Sequence, residues 1–235
     1  MNSVAFTPII ALPGTLMDAA SLEPLAAALG YPFRVEILGE EGDFDSELER
    51  LQVLDSRPAI WLGHSLGGIA VLHLAARYPQ RCKALIVLAS NVRSDGPLGP
   101  QTRARQQDTF AQGGMVDVVR KQLVPVYGLD EQDPIVTSLI AQAQRVGGDR
   151  FRLQHRYVAQ RPGLLAKSVN LNLPVLALSA QCDTLSPPVC GEEIASRVKV
   201  EPAKHFTLEN AGHLLPLQHP KWCAQHIREF FTEIL

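Results

Sequence analysis

The sequence predicts an α/β fold, a mostly parallel sheet of about six strands with helices on both faces and a helical insertion. Apolar, strand-like runs alternate with helix-period segments over residues 4–90, and the alternation resumes at residue 171. Residues 91–170, between them, are rich in Gln and Arg and contain no strand-like run. Such alternation is typical of parallel strands joined by crossover helices. Residues 1–90 and 171–235 are therefore expected to form one core, and residues 91–170 a cap inserted into it.

Six apolar runs supply the predicted strands. Four precede the insertion, at residues 8–12, 33–38, 59–64 and 84–88, and two follow it, at residues 173–178 and 204–208. Their short length and their content of Ile, Val and Leu are typical of strands buried on both faces of a sheet.

Helix-period segments separate these runs. Outside the insertion they lie at residues 22–29, 45–54, 66–76, 188–198 and 220–234. In the third of them, Ile69, Leu72 and Ala76 recur at the spacing of one helical face. Two amphipathic segments, 115–124 and 135–146, predict helices within the insertion.

Composition restricts the classes of function. The chain has 235 residues, 46% of them apolar, and a net charge of −2, which gives no reason to expect a nucleic acid partner. No run approaches the ~20 apolar residues of a membrane span, and Met1–Phe6 carry no basic leader, so a cytoplasmic location is expected. No cluster has metal-ligand spacing, so neither a metal nor a cofactor is predicted. The cysteines are expected to be free thiols: Cys82, Cys182, Cys190 and Cys223.

The strand at residues 59–64 runs into G-x-S-x-G and then into a helix, which predicts an exposed nucleophile at Ser65. A sharp strand-to-helix turn strains the backbone of such a serine and exposes its hydroxyl, while Gly63 and Gly67 leave room for neighbouring chain. The helix starts directly behind the serine. Its first N–H groups, including that of Leu66, then face the point where negative charge would develop.

A serine hydroxyl needs a base, and the base needs an orienting carboxylate. The carboxyl ends of parallel strands share one edge of a sheet, so the partners of Ser65 should follow later strands. His213 comes after the strand ending near Leu208, and Asp183 comes after the strand ending at Leu178. We predict His213 as general base and then general acid, with Asp183 fixing its tautomer. Asp95, shortly after the strand ending near Ala89, is the alternative acid.

The remaining histidines are predicted to play other parts. His64 adjoins the serine but points away from it in such a turn, so it is expected to support the site rather than to act as the base. The others lie along a helix, in the insertion, inside a strand or near the last helix: His73, His155, His205, His219 and His226.

The motif Gly63–Gly68, the Asp183 loop and Ala211-Gly212-His213 together resemble the α/β-hydrolase superfamily over nearly the whole chain. The resemblance implies that the first strand here corresponds to the family's third, and that the cap lies between the family's sixth and seventh strands. The opening loop 12–18 and the stretch 151–162 are similar to small, capped bacterial carboxylesterases and pimeloyl-ester esterases.

The resemblance also implies an oxyanion hole made of two backbone N–H groups. One would belong to Leu66, and the other to Thr15, the residue after Gly14. This chain has Pro13-Gly14 where the family commonly has His-Gly, so Leu16 stays open as the alternative second donor.

The cap carries an excess of positive charge. Residues 91–170 contain 11 Lys or Arg against 7 Asp or Glu, about +4 in a chain of net charge −2. Arginines in its second half are expected either to form a solvated face or to attract an anionic acyl group or an acidic carrier protein. The candidate substrate-binding residues are Leu16, His64, Arg152 and Arg156.

Together these features predict a serine hydrolase that cleaves a small carboxylic ester, or a related acyl compound, through an acyl-enzyme. The family resemblance leaves C–C bond hydrolysis, perhydrolysis, acyl transfer and lyase chemistry as alternatives on the same residues. A ligand-binding protein without turnover is a lesser alternative, since binding alone does not require Ser65, Asp183 and His213 together.

Overall fold

The computed structural model describes residues 7–165 and 170–235, and within them a twisted sheet forms the centre of the fold. Its strands are β1 (Ile9–Leu12), β2 (Arg34–Val35), β3 (Ala59–His64), β4 (Cys82–Leu88), β5 (Val175–Ala180) and β6 (Ala203–Leu208). All neighbouring pairs are parallel, in the order β2-β1-β3-β4-β5-β6. The predicted α/β fold with a parallel sheet of six strands is confirmed.

Helices connect consecutive strands, and the last two helices follow β6. They are α1 (Glu23–Leu29), α2 (Phe44–Gln52), α3 (Leu66–Arg77), α4 (Gly99–Val118), α5 (Val124–Tyr127), α6 (Pro134–Gln160), α7 (Pro188–Ala195), α8 (Leu215–Gln218) and α9 (Pro220–Ile234). A π-helical turn, Val119–Leu123, joins α4 to α5. Among the described residues, no helix combines the length and apolarity that crossing a membrane requires.

Each strand contributes side chains to both faces of the sheet, because successive residues point to opposite sides. In β3, Trp61 packs with α2 and α3 on one face, whereas Ile60 and Leu62 pack with α1 and α9 on the other. Strands β1 and β3 to β5 therefore read as almost continuous apolar runs, the pattern from which they were predicted.

The segment between β4 and β5 holds α4, α5 and α6, which cover the carboxyl edge of the sheet with an apolar cluster of their own. That cluster includes Val118, Leu139 and Phe151 from the segment, and Leu16 and Met17 from the loop after β1. Both long helices bend at a glycine with positive φ, α4 at Gly114 and α6 at Gly147. The cap helices thus pack directly on the loop that follows the first strand.

The second strand is shorter than predicted. Residues 33–38 form a run of six in the sequence, but β2 pairs with β1 at only two residues. Beyond it, the carbonyl of Leu38 accepts a hydrogen bond from the side chain of Gln154 in α6, and Gly39 turns the chain at φ 111°. The Met1–Phe6 stretch, which was expected to carry no leader, lies outside the described residues.

Candidate active site

Ser65 occupies the turn between β3 and α3 with φ 53° and ψ −116°, a conformation that non-glycine residues rarely adopt. The turn is possible because its neighbours lack side chains. A Cβ on Gly63 would lie 2.4 Å from the carbonyl oxygen of Gly67, and one on Gly67 would lie 2.0 Å from that of Leu12. The glycines of the G-x-S-x-G motif are thus required by backbone contact, and Ser65 lines the adjoining cavity.

The structure brings Ser65, His213 and Asp183 into one hydrogen-bonded chain. The Nε2 atom of His213 lies 2.9 Å from Ser65 Oγ, and its Nδ1 atom lies 2.8 Å from Asp183 Oδ2. A carboxylate accepts hydrogen bonds, so Nδ1 carries the proton and Nε2 accepts from the serine hydroxyl. His213 and Asp183 are 1% and 3% exposed, so bulk water does not compete for these bonds.

Backbone N–H groups of the loop after β5 stabilise the ionised carboxylate of Asp183. Its Oδ1 atom accepts hydrogen bonds from the backbone N–H groups of Leu185 at 2.8 Å and Ser186 at 3.0 Å. Burial by itself would raise the pKa of Asp183, but the hydrogen bond and charge of His213, together with those two N–H groups, lower this pKa below its usual value. A charged Asp183 can therefore stabilise an imidazolium at neutral pH.

Asp95, the alternative acid, forms an ion pair with another residue and does not contact His213. Its Oδ2 atom forms an ion pair of 2.7 Å with Arg103 Nη2, and both residues line the cavity. The carboxylate in contact with His213 is that of Asp183. The geometry accordingly favours Asp183 over Asp95 as the partner of the histidine.

His64 lies behind the turn and is fully buried. Its Nε2–H donates to the backbone carbonyl of His213 over 2.9 Å, so it holds the histidine loop against β3. Its Nδ1 atom has no hydrogen-bond partner among the described residues and faces the backbone of Gly14. Burial, followed by the neighbouring His213, lowers the pKa of His64 to about 3, so the ring is neutral at pH 7.

A cap residue covers the histidine. The ring of Tyr127, at the end of α5, stacks on the ring of His213 with centroids 5.3 Å apart and planes 12° apart. Tyr127 is buried, and burial, with the nearby charge of Asp183, raises the pKa of its phenol well above the usual value. The cap thereby helps to keep water away from the His213–Asp183 pair.

The loop after β1 approaches the serine as an oxyanion hole would require. A Cβ on Gly14 would lie 3.3 Å from the Cβ of Ser65, and Thr15 lines the cavity beside Leu66. Leu16 has φ 60°, and its N–H already donates to Gln154 Oε1 at 2.9 Å. Since that N–H is occupied, the geometry favours Thr15 over Leu16 as the second donor, with Leu66 as the first.

A cavity of about 630 Å³ opens in front of Ser65. Its lining includes Thr15, Leu66, Tyr127, His155 and Arg161. Within the described part of the chain, no group of three or more His, Cys, Asp or Glu residues is arranged to hold a metal ion.

The four side chains suggested by sequence for substrate binding do not line this cavity within the described structure: Leu16, His64, Arg152 and Arg156. Leu16 packs in the apolar cluster of the cap, and His64 is buried behind the turn. Arg152 pairs with Asp149 at 2.8 Å, and Arg156 donates to the carbonyl of Gly42 at 2.6 Å. The two arginines are therefore bound on the outer surface of the cap.

Three residues near the site escaped sequence reasoning: Gln154, Tyr127 and Arg161. Gln154 meets Leu16 across 138 positions, and Tyr127 meets His213 across more than 80, so no local pattern identifies either contact. Arg161 was counted with the charged face of the cap, but it is buried at the end of α6. The sequence carries one signal for Gln154: polar residues, Gln142 among them, interrupt the apolar face of α6.

The comparisons with known proteins identify the family and the fold. The family described as "Alpha/beta hydrolase family" matches residues 9–226. A pimeloyl-[acyl-carrier protein] methyl ester esterase of Neisseria meningitidis serogroup A is 27% identical over 82% of this chain, and the chain spans 63% of that relative's length. A provisionally named carbamate hydrolase, RutD, of Pantoea ananatis is 30% identical over 84% of this chain and 78% of its own length. Among solved structures, a thermophilic esterase of Thermogutta terrifontis superposes with a TM-score of 0.80 at 19% identity, covering 97% of this chain and 90% of that one.

Proposed function

The chain belongs to the alpha/beta hydrolase family, and from that premise we propose that it is a serine hydrolase of small carboxylic esters that acts through an acyl-enzyme. The observation that carries the proposal is the hydrogen-bonded chain from Asp183 through His213 to Ser65, opening on a cavity of about 630 Å³. A cavity of that volume is in the range of small-molecule sites. The relative named as a methyl ester esterase supports an ester as the substrate.

In the first half of the proposed reaction, Ser65 Oγ attacks the ester carbonyl while His213 Nε2 takes the hydroxyl proton. The carbonyl oxygen becomes an oxyanion, which the N–H groups of Thr15 and Leu66 would stabilise by up to ~3 kcal/mol each. The imidazolium, held by Asp183, then gives its proton to the leaving alkoxide. The C–O bond breaks, the alcohol departs and an acyl ester remains on Ser65.

In the second half, a water molecule takes the place of the alcohol. His213 Nε2 removes its proton as the water oxygen attacks the acyl carbonyl, and the same two N–H groups stabilise the second oxyanion. The imidazolium protonates Ser65 Oγ as the acyl bond breaks, which releases the carboxylic acid and restores the enzyme.

The name of the Neisseria relative also supports an acyl-carrier protein as a source of substrate. The paired state of the cap arginines weighs against a strong carrier surface, since Arg145, Arg150 and Arg152 each form an ion pair with Asp18, Glu40 and Asp149 respectively. We therefore base the proposal on a small ester and leave carrier recognition outside it.

The test combines a covalent probe with a series of substrates. A fluorophosphonate should label the wild-type protein at Ser65, as located by mass spectrometry, and p-nitrophenyl esters of increasing chain length should be turned over. Ser65→Ala should abolish both while retaining the melting temperature of the wild type. Normal turnover by that variant, or labelling at another residue, contradicts the proposal. Bromination of a reporter by phenyl acetate with bromide and peroxide, in excess over ester hydrolysis, would assign perhydrolysis instead.

A further inference from the structure

The charged side chains that line the cavity beside Ser65 do not balance one another. Among the residues that the structure describes, they are one carboxylate, Asp95, and two guanidinium groups, Arg103 and Arg161. Asp95 and Arg103 pair at 2.7 Å, which leaves Arg161. His155 also lines the cavity, but burial, followed by the charge of Arg103, lowers its pKa to about 4, so it is neutral at pH 7. The cavity wall therefore carries a net positive charge.

Arg161 is held rigidly but has no anionic partner. Its Nε atom donates to the carbonyl of Arg93 at 3.0 Å, and Nη1 donates to that of Val158 at 2.8 Å. Across residues 7–165 and 170–235, no carboxylate forms an ion pair with it, and Nη2 has no hydrogen-bond partner. The residue is 9% exposed. Guanidinium groups stay protonated in proteins, and the charge of Asp95 acts on Arg161 without forming an ion pair with it. Because Asp95 is already paired with Arg103, this buried cation has no carboxylate of its own.

A structural role accounts for part of this arrangement. Arg161 caps the end of α6, and carbonyl groups at a helix C-terminus attract a cation. Capping occupies Nη1, and the carbonyl of Arg93, outside α6, occupies Nε; neither contact uses Nη2 or explains why the side chain lines the cavity. Two fixed nitrogens hold the planar fork in one orientation, which is the preorganised state that favours carboxylate binding.

We propose that Arg161 is the anion subsite of the cavity, and that the preferred substrate is an ester bearing a free carboxylate away from the scissile bond. The inference rests on the proposed ester hydrolysis and specifies its substrate class. The carboxylate would complete the charge balance left by Asp95 and Arg103, with Arg161 Nη2 as the donor. It can belong either to the acyl part of the ester or to its alcohol part, and the substrates below separate the two.

The substrates are matched pairs that differ in one charge. Monomethyl adipate against dimethyl adipate tests a carboxylate on the acyl side, and 6-acetoxyhexanoate against its methyl ester tests one on the alcohol side. Initial rates of acid release give kcat and KM for each. The wild type should show a lower KM for the anionic member of one pair. That pair identifies whether Arg161 binds a carboxylate on the acyl part or on the alcohol part of the ester.

Three variants test the assignment to Arg161. In Arg161→Gln, KM for the preferred anionic ester should rise by about tenfold to a hundredfold, the range of a lost charged hydrogen bond, with the neutral ester changed by less than about twofold. For Arg161→Lys, KM for the anionic ester should lie between the values of the wild type and Arg161→Gln, because lysine keeps the positive charge but lacks the planar guanidinium group. Asp95→Asn should lower KM for the anionic ester alone, because it removes the one carboxylate in the wall.

Arg105→Gln is the matched control, since Arg105 is an exposed cap arginine outside the cavity lining; it should leave both members of each pair unchanged. If Arg161→Gln unfolds, as its melting temperature would show, Arg161→Lys takes its place, and an unchanged KM for the anionic ester in a folded Arg161→Lys would overturn the assignment. Equal effects on anionic and neutral esters in the variants overturn the anion subsite. If the wild type hydrolyses none of the esters, by contrast, the proposed function itself is overturned.

Discussion

The strained backbone conformation of Ser65 is held between two glycines whose close backbone contacts leave no room for a side chain. Gly67 is the tightest of these positions, because an added Cβ would meet the carbonyl oxygen of Leu12 at 2.0 Å. A backbone atom cannot swing aside as the end of a side chain can. The turn that exposes the nucleophile therefore depends on the distance between β1 and the start of α3.

Gly67→Ala should destabilise the protein by about 1–3 kcal/mol or more, the range for overpacking a core. Gly42→Ala is the matched control, because an added Cβ there meets nothing within 4 Å, and it should change the free energy of unfolding by less than about 0.5 kcal/mol. Urea denaturation measures both. Equal stability of the two variants would mean that β1 and α3 separate easily and that the turn is not strained in the way described.

The two candidate carboxylates, Asp183 and Asp95, should differ in their effect on kcat. Asp183→Asn should lower kcat by about a thousandfold or more, because an amide in place of the carboxylate no longer fixes the protonated Nδ1 of His213. Asp95→Asn should leave kcat on a neutral p-nitrophenyl ester within about threefold, since Asp95 pairs with Arg103. Steady-state kinetics on that ester distinguishes the two. A large loss in Asp95→Asn with a small one in Asp183→Asn would assign the acid to the loop after β4.

At the scale of elements, the cap and the loop after β1 are joined by one side chain. Gln154 in α6 is 1% exposed; its Oε1 atom accepts from the N–H of Leu16, and its Nε2 atom donates to the carbonyl of Leu38. Leu16 is held at a φ of 60° in this contact. Since Thr15 directly precedes it, the direction of the Thr15 N–H depends on a helix of the cap.

Gln154→Leu should therefore lower kcat on a neutral ester by about tenfold to a hundredfold, less than the loss of an oxyanion donor outright, with little change in KM. Gln144→Leu, on the exposed side of the same helix, is the control and should not alter kcat. A KM increase with unchanged kcat would give Gln154 a role in substrate binding instead. A fall in melting temperature without any kinetic change would make its role purely structural.

The elements differ in how far the sequence predicted them. Buried strands such as β3 and β4 were found because burial on both faces leaves an uninterrupted apolar run. The edge strand β2 was overestimated, since the end of its pairing depends on where α6 and Gln154 lie. In α6 itself, Gly147 and Gly148 interrupt the helical period, so the pattern stopped at residue 146 although the helix continues to Gln160.

The candidate site was predictable where chain order and strand ends sufficed. Ser65, Asp183 and His213 were each placed after a strand, and parallel strands bring those ends to one edge. The cap contacts were not predictable in the same way, because charge counting cannot tell a buried arginine such as Arg161 from an exposed one such as Arg105. That difference depends on which carbonyls the folded chain presents to each side chain.

Across the molecule, the burial of neutral histidines makes the free energy of unfolding depend on pH. His64 lies in the centre of the fold, and its pKa of about 3 is far below the ordinary 6.5. The second histidine, His155, belongs to α6 and lines the cavity, and burial lowers its pKa to about 4. Between these values and pH 6.5 the unfolded chain binds protons that the folded chain does not, so stability must fall as the pH falls through that window.

For His64 alone, the expected loss in the free energy of unfolding is about 2 kcal/mol between pH 7 and pH 5, from the two pKa values. His64→Gln keeps a donor for the carbonyl of His213 and cannot titrate. It should be less stable than the wild type at pH 7, because a buried ring is replaced, but the difference should shrink by about 2 kcal/mol at pH 5. Asp183 adds to the acid loss below pH 4, since the pKa of this carboxylate is lowered in the fold. Urea titrations of the wild type and His64→Gln at pH 7 and pH 5 measure these free energies of unfolding. If both proteins lose the same free energy between the two pH values, His64 binds its proton equally well in the folded and the unfolded chain, which contradicts the prediction.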